Sequence, residues 1–450
     1  MAKHEKFKVK SMTDLLNLAG SLGIDIPTQD DTANLFTPLT LAGGEVIPNR
    51  FVVHPMEGFD AEADGSPGPL AFRRYARYAS GGAGLIWFEA CAVVPEGRSN
   101  PGQLYIHRNN VENYRNLVAH TRKTAEDFFQ SRGKPLCILQ ITHSGRYSKP
   151  EGKPKPIIAH HSPVLDPPLG LPGDYPLVSD EYLDGLQDKF IEAAKLAAAA
   201  GFDGVDVKSC HRYLFSELHA SFTRENSRYG GSFLNRTRML REIVTRIKAE
   251  IPELIVTTRL NVYDAIVHPY GFGVSASDKD MPDLAEPKQL ISMLSNAGVP
   301  LLNHSVGNPY FEPHHGRPYD LPVIGASLPA SHPLEDTAKY IHITGEIQEA
   351  FPDLPVVGGG YSWLRQYIPN VTAALIAQKK TSLIGLGRSS FAYPDSIRDL
   401  RDKGKLDPAK VCITCSKCTQ IMRDGGKTGC VIRDKEIYLP EYNRRAQKNS

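Results

Sequence analysis

The most specific spacing in the chain belongs to four cysteines near its end. Cys412, Cys415, Cys418 and Cys430 read C-x2-C-x2-C-x11-C. Thiolates are strong, soft ligands, and four this close in sequence can close round one metal centre. The other three cysteines, Cys91, Cys137 and Cys210, are scattered, which is not the layout of a disulfide framework. A second set of reactive side chains is more dispersed. LQITHSGR (139–146) carries Gln140, His143 and Arg146; VKSCHRYLF (207–215) carries Lys208, His211 and Tyr213; Arg259 and His304 each stand near the end of a short apolar run. An ammonium, an imidazole and a phenol together can polarise an oxygen and deliver a proton. Any one of them alone could be a satisfied structural residue, and for a lone His that is the more natural reading; converging on one face, they read as an active site. Glycines gather at 358–360 and in GLGRSS (385–390), where bare backbone N–H groups and Arg388 could approach a phosphate.

Something must bring these segments together. Eight β-rich apolar runs, at 51–55, 85–90, 136–142, 204–208, 254–260, 300–305, 354–359 and 382–387, alternate with amphipathic stretches at 179–200, 235–250, 286–297, 336–350 and 364–379. Eight strand–helix alternations predict an α/β fold, a parallel (β/α)8 TIM barrel, in which polar residues at strand C-termini share one mouth. An open doubly wound sheet is the alternative, but no GxGxxG turn follows the first strand. Two long proline-bearing loops, 143–178 and 306–335, follow strands and so belong over that mouth; the second holds His314, His315 and His332. The expected organisation is a lead-in over 1–40 with a helix at 11–22, a barrel over 41–404 and a cysteine-rich C-terminal extension over 405–450.

The 450 residues carry a net charge of +2 and are 41% hydrophobic and 23% charged, giving no case for a nucleic-acid or membrane partner. No signal-peptide pattern opens the sequence and no run approaches a membrane span. The expectation is a cytoplasmic enzyme with a small-molecule substrate. Its oligomeric state is left open.

From about Leu35 to Asp395 the chain resembles the old yellow enzyme family of FMN-dependent oxidoreductases. The resemblance is carried by NRFVVHPMEG (49–58), LQITHSGR (139–146), DGVDVKSCHRYLFSELHASFTRENSRYGGSFLNRTRMLREIV (203–244) and GLGR (385–388), in that order. By position it implies that Pro55, Met56 and Ala90 line FMN. Gln140 and Arg259 bond its pyrimidine edge, and Gly359, Gly360, Gly387 and Arg388 cradle its phosphate. Tyr213 matches the tyrosine that protonates the substrate carbon. A His and a His or Asn three residues on usually hold the substrate oxygen; here those positions read Lys208 and His211. The ammonium adds a full charge, which favours an enolate or a carboxylate-bearing substrate. His304 is a further candidate acid.

The cysteine group is similar to the C-x2-C-x3-C-x11-C that ligates a [4Fe–4S] cluster in bacterial dienoyl-CoA reductases and trimethylamine dehydrogenases, one residue shorter in its second gap. A cluster is the preferred reading, with a four-thiolate zinc site or no metal as alternatives. Those relatives continue into nucleotide-binding domains. Here the expectation is direct reduction by NAD(P)H or an external electron-transfer protein. The activity implied is reduction of an activated C=C bond. An amine dehydrogenase or demethylase sending electrons out through the cluster is the runner-up. A Schiff-base aldolase using Lys208 and a non-catalytic flavin-binding barrel are the other classes.

Overall fold

The computed structural model describes residues 4–130 and 133–448. The first three residues of the expected lead-in and the last two of the expected tail lie outside them. Eight parallel strands form a closed barrel: β1 Phe51–Val53, β2 Leu85–Ala92, β3 Leu136–Thr142, β4 Gly204–Val207, β5 Ile255–Tyr263, β6 Leu302–Val306, β7 Val356–Gly358 and β8 Leu383–Leu386. Each pairs with its neighbour in sequence, and β8 closes on β1 with Ile384 opposite Phe51. The expected (β/α)8 barrel is therefore the observed fold.

Strand parity sorts the side chains into two cores. Val52, Leu85, Trp87, Leu136, Ile138, Ile255, Leu301, Val357 and Leu383 fill the barrel interior. Ile47 joins this cluster from a short hairpin, Leu39–Thr40 with Val46–Ile47, as does Leu41 just after its first strand, with Leu39 packed against them. The alternate residues, among them Val53, Ile86, Phe88, Leu139, Val205, Val207, Val256 and Leu302, pack outward against the helices. Followed upward, the interior series arrives at His54, Gln140, Asp206, Lys208, Arg259, Asn303, Gly359 and Gly385. The parity that builds the core thus also selects what reaches the mouth.

The helices follow local signals. Asp180–Ala199 starts where the Ser179 hydroxyl accepts from the Tyr182 amide at 3.1 Å, with Asp180 and Glu181 in its first turn. The stretch expected as one helix over 235–250 is two, Phe233–Arg236 and Arg238–Glu250, divided at Thr237. The stretch expected over 364–379 begins instead as a 3₁₀ segment, Tyr361–Tyr367, before the helix Ile368–Ala377. Arg365, with φ of 51°, breaks the helical path, and Pro369 in the first turn of the next helix lacks the N–H that a helix running through it would need.

The segment after Gly404 folds back over the mouth. It carries helices Lys417–Arg423 and Lys435–Lys448. Asp434 is paired with Arg73 and Arg77 on the helix Pro69–Ser80. The Thr428 amide donates to Gly58 O at 2.7 Å. Asp320 receives the Trp363 indole at 2.8 Å and Arg365 at 2.6 Å, and its own amide donates to Thr414 O at 3.1 Å. Among the described residues no helix is long and apolar enough to cross a membrane.

Candidate active site

A cavity of about 1120 Å³ opens at the C-terminal ends of the strands. Its floor begins with Asp206 inside the barrel. That carboxylate accepts from Gln140 Nε2 at 2.6 Å, Trp87 Nε1 at 2.8 Å and the Arg259 amide at 2.6 Å, tying four strands together. Burial raises it to about 6 against these three bonds. Asp206 was missed by the sequence reading. The signal was present: a carboxylate alternating with two valines in GVDVK must lie inside a barrel strand.

Above this floor, β4 runs into a turn that makes the site. His211 and Arg212 both adopt left-handed backbone, with φ of 64° and 57°. Neither is a glycine, so the turn costs strain, and the fold restrains it. Arg212 donates to Asp264 and lies 3.0 Å from His160 Nε2, both buried. The turn sets Tyr213 with its hydroxyl 3.2 and 3.4 Å from the two Glu57 carboxylate oxygens and 3.3 Å from the Tyr310 hydroxyl. Lys208 lies with Nζ 3.3 Å from Glu57 Oε1 and 3.8 Å from the Tyr213 ring centroid. Glu57 is the second residue that sequence reasoning passed over. Its neighbours Pro55 and Met56 were singled out, but nothing in HPMEG says that its side chain will meet a lysine 151 positions away.

These contacts set the protonation states. Burial, then the Glu57 carboxylate, raise the Tyr213 phenol well above its ordinary value. Burial, then Arg259 and Lys208, push His211 well below its own. His211 is therefore held as a neutral imidazole, able to donate a hydrogen bond but not to add charge beside Tyr213.

The predicted residues separate into two groups. Pro55, Met56, Lys208, His211, Tyr213, Arg259, Gly360, Gly387 and Arg388 all line the cavity. Gln140 is buried below it on Asp206. Gly359 is also buried, with space for a side chain closed by the Tyr340 hydroxyl and the His54 ring. Ala90 is fully buried, its carbonyl accepting from Gln103 at 3.1 Å. His304 is not brought to the mouth. It stands between Asn303 and Ser305, so its parity turns it outward, where Nε2 lies 2.8 Å from Thr344 Oγ1 on the surrounding helix Pro333–Ala350. Burial depresses it to about 3, and its place as a candidate acid is withdrawn.

The cavity is rich in cations. Lys208, Arg259, Arg317 and Arg388 line it, against the single carboxylate of Glu57. Arg259 Nε, Arg317 Nε and one terminal nitrogen of Arg388 are buried without a protein partner. Burial, then Arg388 and Arg423, bring the Arg317 guanidinium down to about 9. Close to Arg388, a Cβ on Gly385 would meet His54 Nε2 at 2.0 Å. Unpaired guanidinium nitrogens beside bare glycine backbone are the donor set for an anionic, phosphate-bearing ligand.

Cys412, Cys415, Cys418 and Cys430 are brought together around a smaller cavity of about 360 Å³. Thr414 and Ser416, between the first three, have φ of 50° and 56°. The Thr414 amide points at Cys412 Sγ at 3.4 Å and the Arg433 amide at Cys430 Sγ at 3.3 Å. Such N–H···S contacts stabilise thiolate charge. Arg388 and Phe391 border both cavities, and Cys418 lines both.

A parallel barrel with a cation-lined mouth and a glycine–arginine cradle after β8 belongs to the class of barrels that hold phosphate-bearing ligands at their strand ends. The chain is a member of the NADH:flavin oxidoreductase / NADH oxidase family, whose model matches residues 34–283. It is 29% identical over 397 residues to an NADH oxidase of Thermoanaerobacter brockii, covering 85% of this chain and 53% of that protein. It is 27% identical over 437 residues to a cinnamate reductase of Clostridium sporogenes (strain ATCC 7955 / DSM 767 / NBRC 16411 / NCIMB 8053 / NCTC 8594 / PA 3679), covering 91% of this chain and 60% of that one. The chain thus spans little more than half the length of these relatives. The fold is similar to that of a 2-naphthoyl-CoA reductase, with a TM-score of 0.71 at 19% identity, covering 92% of this chain and 58% of the other.

Proposed function

We propose that this protein is an FMN-dependent oxidoreductase that reduces a C=C bond conjugated to a carbonyl or carboxyl group, with NAD(P)H or an electron-transfer protein as the source of electrons. The observation that carries the reading is the meeting of Lys208, His211, Tyr213 and Arg259 with the Gly387–Arg388 cradle in one cavity.

The residues fit FMN. Arg388 and the glycines at 359, 360 and 387 would hold its phosphate, Arg259 and Gln140 the pyrimidine edge, and Pro55, Met56 and Ala90 the ring's surroundings. The unpaired Arg259 and Arg388 nitrogens support this assignment. When bound, FMN supplies the hydride for the β-carbon. The chain's own residues do the rest. Lys208 and the neutral His211 hold the substrate oxygen and stabilise the charge that grows on it. Tyr213 keeps its proton at the hydroxyl until the α-carbon needs it, because Glu57 and burial disfavour the phenolate. Glu57 anchors both Lys208 and Tyr213. The excess of cations favours a carboxylate-bearing substrate, a preference in keeping with the named activity of the cinnamate reductase.

The four cysteines fit a [4Fe–4S] cluster, with zinc as the alternative donor match. A cluster there would pass electrons to or from the flavin site across the wall of Arg388 and Phe391. That shared wall is also what favours the second reading, an amine dehydrogenase or demethylase delivering electrons outward.

The test is the anaerobically purified protein itself. Its spectrum should show flavin bands, the released flavin should be FMN, and an α,β-unsaturated acid or ketone should reoxidise the reduced protein. FAD, or no flavin after reconstitution with FMN, counts against the proposal. Amine turnover with an artificial acceptor, without alkene reduction, would select the second reading.

A further inference from the structure

A separate polar cluster lies behind the cavity wall, in the histidine-bearing loop after β6. His314 and His315 stand on that loop, and the helix Pro333–Ala350 brings Asp336 against them. A ring nitrogen from each imidazole and a carboxylate oxygen of Asp336 all lie within 4.8 Å of one another. Asp336 is buried, His314 is half-buried, and the His315 side chain is 9% exposed.

The cluster is not satisfied by its own contacts. His315 Nδ1 is 4.0 Å from Asp336 Oδ1, too far for a hydrogen bond, and is buried without a partner. Its Nε2 is 3.7 Å from Glu312 Oε2. The two rings stand 4.1 Å apart between centroids, which crowds two lone-pair donors together. Glu312 is neutralised by Lys279 at 2.7 Å. Asp336 accepts from the Ser331 hydroxyl at 2.9 Å, and His315 is the sole basic side chain in ion-pair range of it among the described residues. Asp336 has no lysine or arginine within ion-pair distance among the described residues, Lys279 and Lys339 act on the cluster only from farther off, and the open His315 Nδ1 faces the carboxylate with nothing between them.

We propose that His314, His315 and Asp336 form a binding site for a divalent transition-metal ion of the zinc type. Two imidazoles and one carboxylate are the ligand set such ions favour, and the Glu312 carboxylate, held by Lys279, stands beside them as a fourth ligand. Ligand atoms on a tetrahedral zinc ion sit roughly 3.3 Å apart, so the observed spacing closes with small side-chain rotations. The site would fasten the loop to the helix. Pro313, Gly316 and Arg317, immediately flanking the two histidines, line the main cavity. The ion would therefore hold Arg317 in place from behind without touching substrate.

The experiment is equilibrium dialysis of the holoenzyme, its cysteine site already filled, against zinc, with iron and zinc counted per chain. The wild type should retain one zinc beyond the cysteine-bound metal. His314→Ala and Asp336→Asn should weaken this retention by ~10²-fold with FMN and iron content unchanged. His342→Ala, an exposed histidine on the same helix, should not. Cu²⁺ added to the wild type should give an electron paramagnetic resonance spectrum split by two imidazole nitrogens, a readout independent of how the variants fold. No additional zinc in the wild type, retention by both variants, or a copper spectrum without nitrogen splitting would each overturn the proposal.

Discussion

Replacing Tyr213 by Phe removes one hydroxyl from a site where a second stands close by. The Tyr310 hydroxyl is 3.3 Å from the one deleted. It also lines the cavity, so it remains as a poorer donor, displaced by about one hydrogen-bond length. A positioned general acid is worth ~10²–10⁴-fold, and a misplacement of about 1 Å can cost ~10²-fold. The expected loss in the alkene half-reaction is therefore ~10²- to 10³-fold, a barrier increase of roughly 3–4 kcal/mol. Adding Tyr310→Phe should deepen it, and by more than its effect alone, because the two hydroxyls are in contact. The fold should tolerate the change. Glu57 keeps Lys208 at 3.3 Å and Gln103 at 3.4 Å, so no buried carboxylate is orphaned. Stopped-flow measurement of the two half-reactions separates the cases. Reduction by NAD(P)H and FMN content should be nearly unchanged, and reoxidation by the alkene should be slow. Because the phenol is held well above its ordinary value, the wild-type alkene step should show no alkaline loss from Tyr213 up to about pH 9. An unchanged alkene rate in the variant, or equal slowing of both half-reactions, would refute the assignment of Tyr213 as the acid.

Arg388→Ala should weaken FMN binding by roughly 10- to 100-fold, the worth of a charge-assisted contact of about 1.5–3 kcal/mol, as read by flavin fluorescence on dilution; unchanged affinity would remove the cradle. Gly385→Ala should lose FMN more completely, since its Cβ would meet His54 Nε2 at 2.0 Å. Cys415→Ser should abolish bound iron, against about four iron and four sulfide per wild-type chain, and stoichiometric zinc without iron would make the tail structural. Asp206 titrates at about 6 in the folded protein against 3.8 in a free chain, so the folded state holds its proton more tightly. Its contribution is present below about pH 4 and is lost as pH rises through 6, by about 3 kcal/mol. Asp206→Asn should remove that slope, so denaturation midpoints at pH 4 and 7 should lie closer together in the variant than in the wild type.

The barrel was legible because its signal is repeated. Eight apolar runs of similar length fix the strand count, and period-two alternation within each fixes which residues turn inward. Most of what reached the cavity from the sequence reading stands at or just beyond strand ends, as Pro55, Lys208, Gly360, Gly387 and Arg388 do, while Arg259 reaches it from within β5. His304 failed by one step of parity, with Asn303 and Ser305 on either side of it. Glu57, Tyr310 and Arg317 were not legible because their neighbours at the site come from distant strands and loops. Their chemistry exists only once the barrel closes. The helix break at Thr237 and the late helix start before Pro369 were missed for the opposite reason, being local details below the resolution of periodicity. The tail was recognised by its cysteines, but nothing in their spacing says that Cys418, Thr419, Met422 and Thr428 will wall the main cavity.

That last contribution bears on how the protein comes into being on the ribosome. Phe51 in the first strand waits for Ile384 in the eighth, and the cavity's final wall arrives only with Thr428. A chain emerging from its N-terminus can pair β1 to β7 in turn, yet until β8 and the segment through Thr428 are made it offers an open sheet edge and an unroofed mouth. Competence thus comes only after the barrel and the segment over its mouth have both emerged, and no nascent product cut short of Thr428 has a complete cavity wall. The same lateness leaves a long interval in which the apolar interior is exposed, so the yield of active protein should respond to chaperones and to elongation rate more steeply than the stability of the finished barrel would imply.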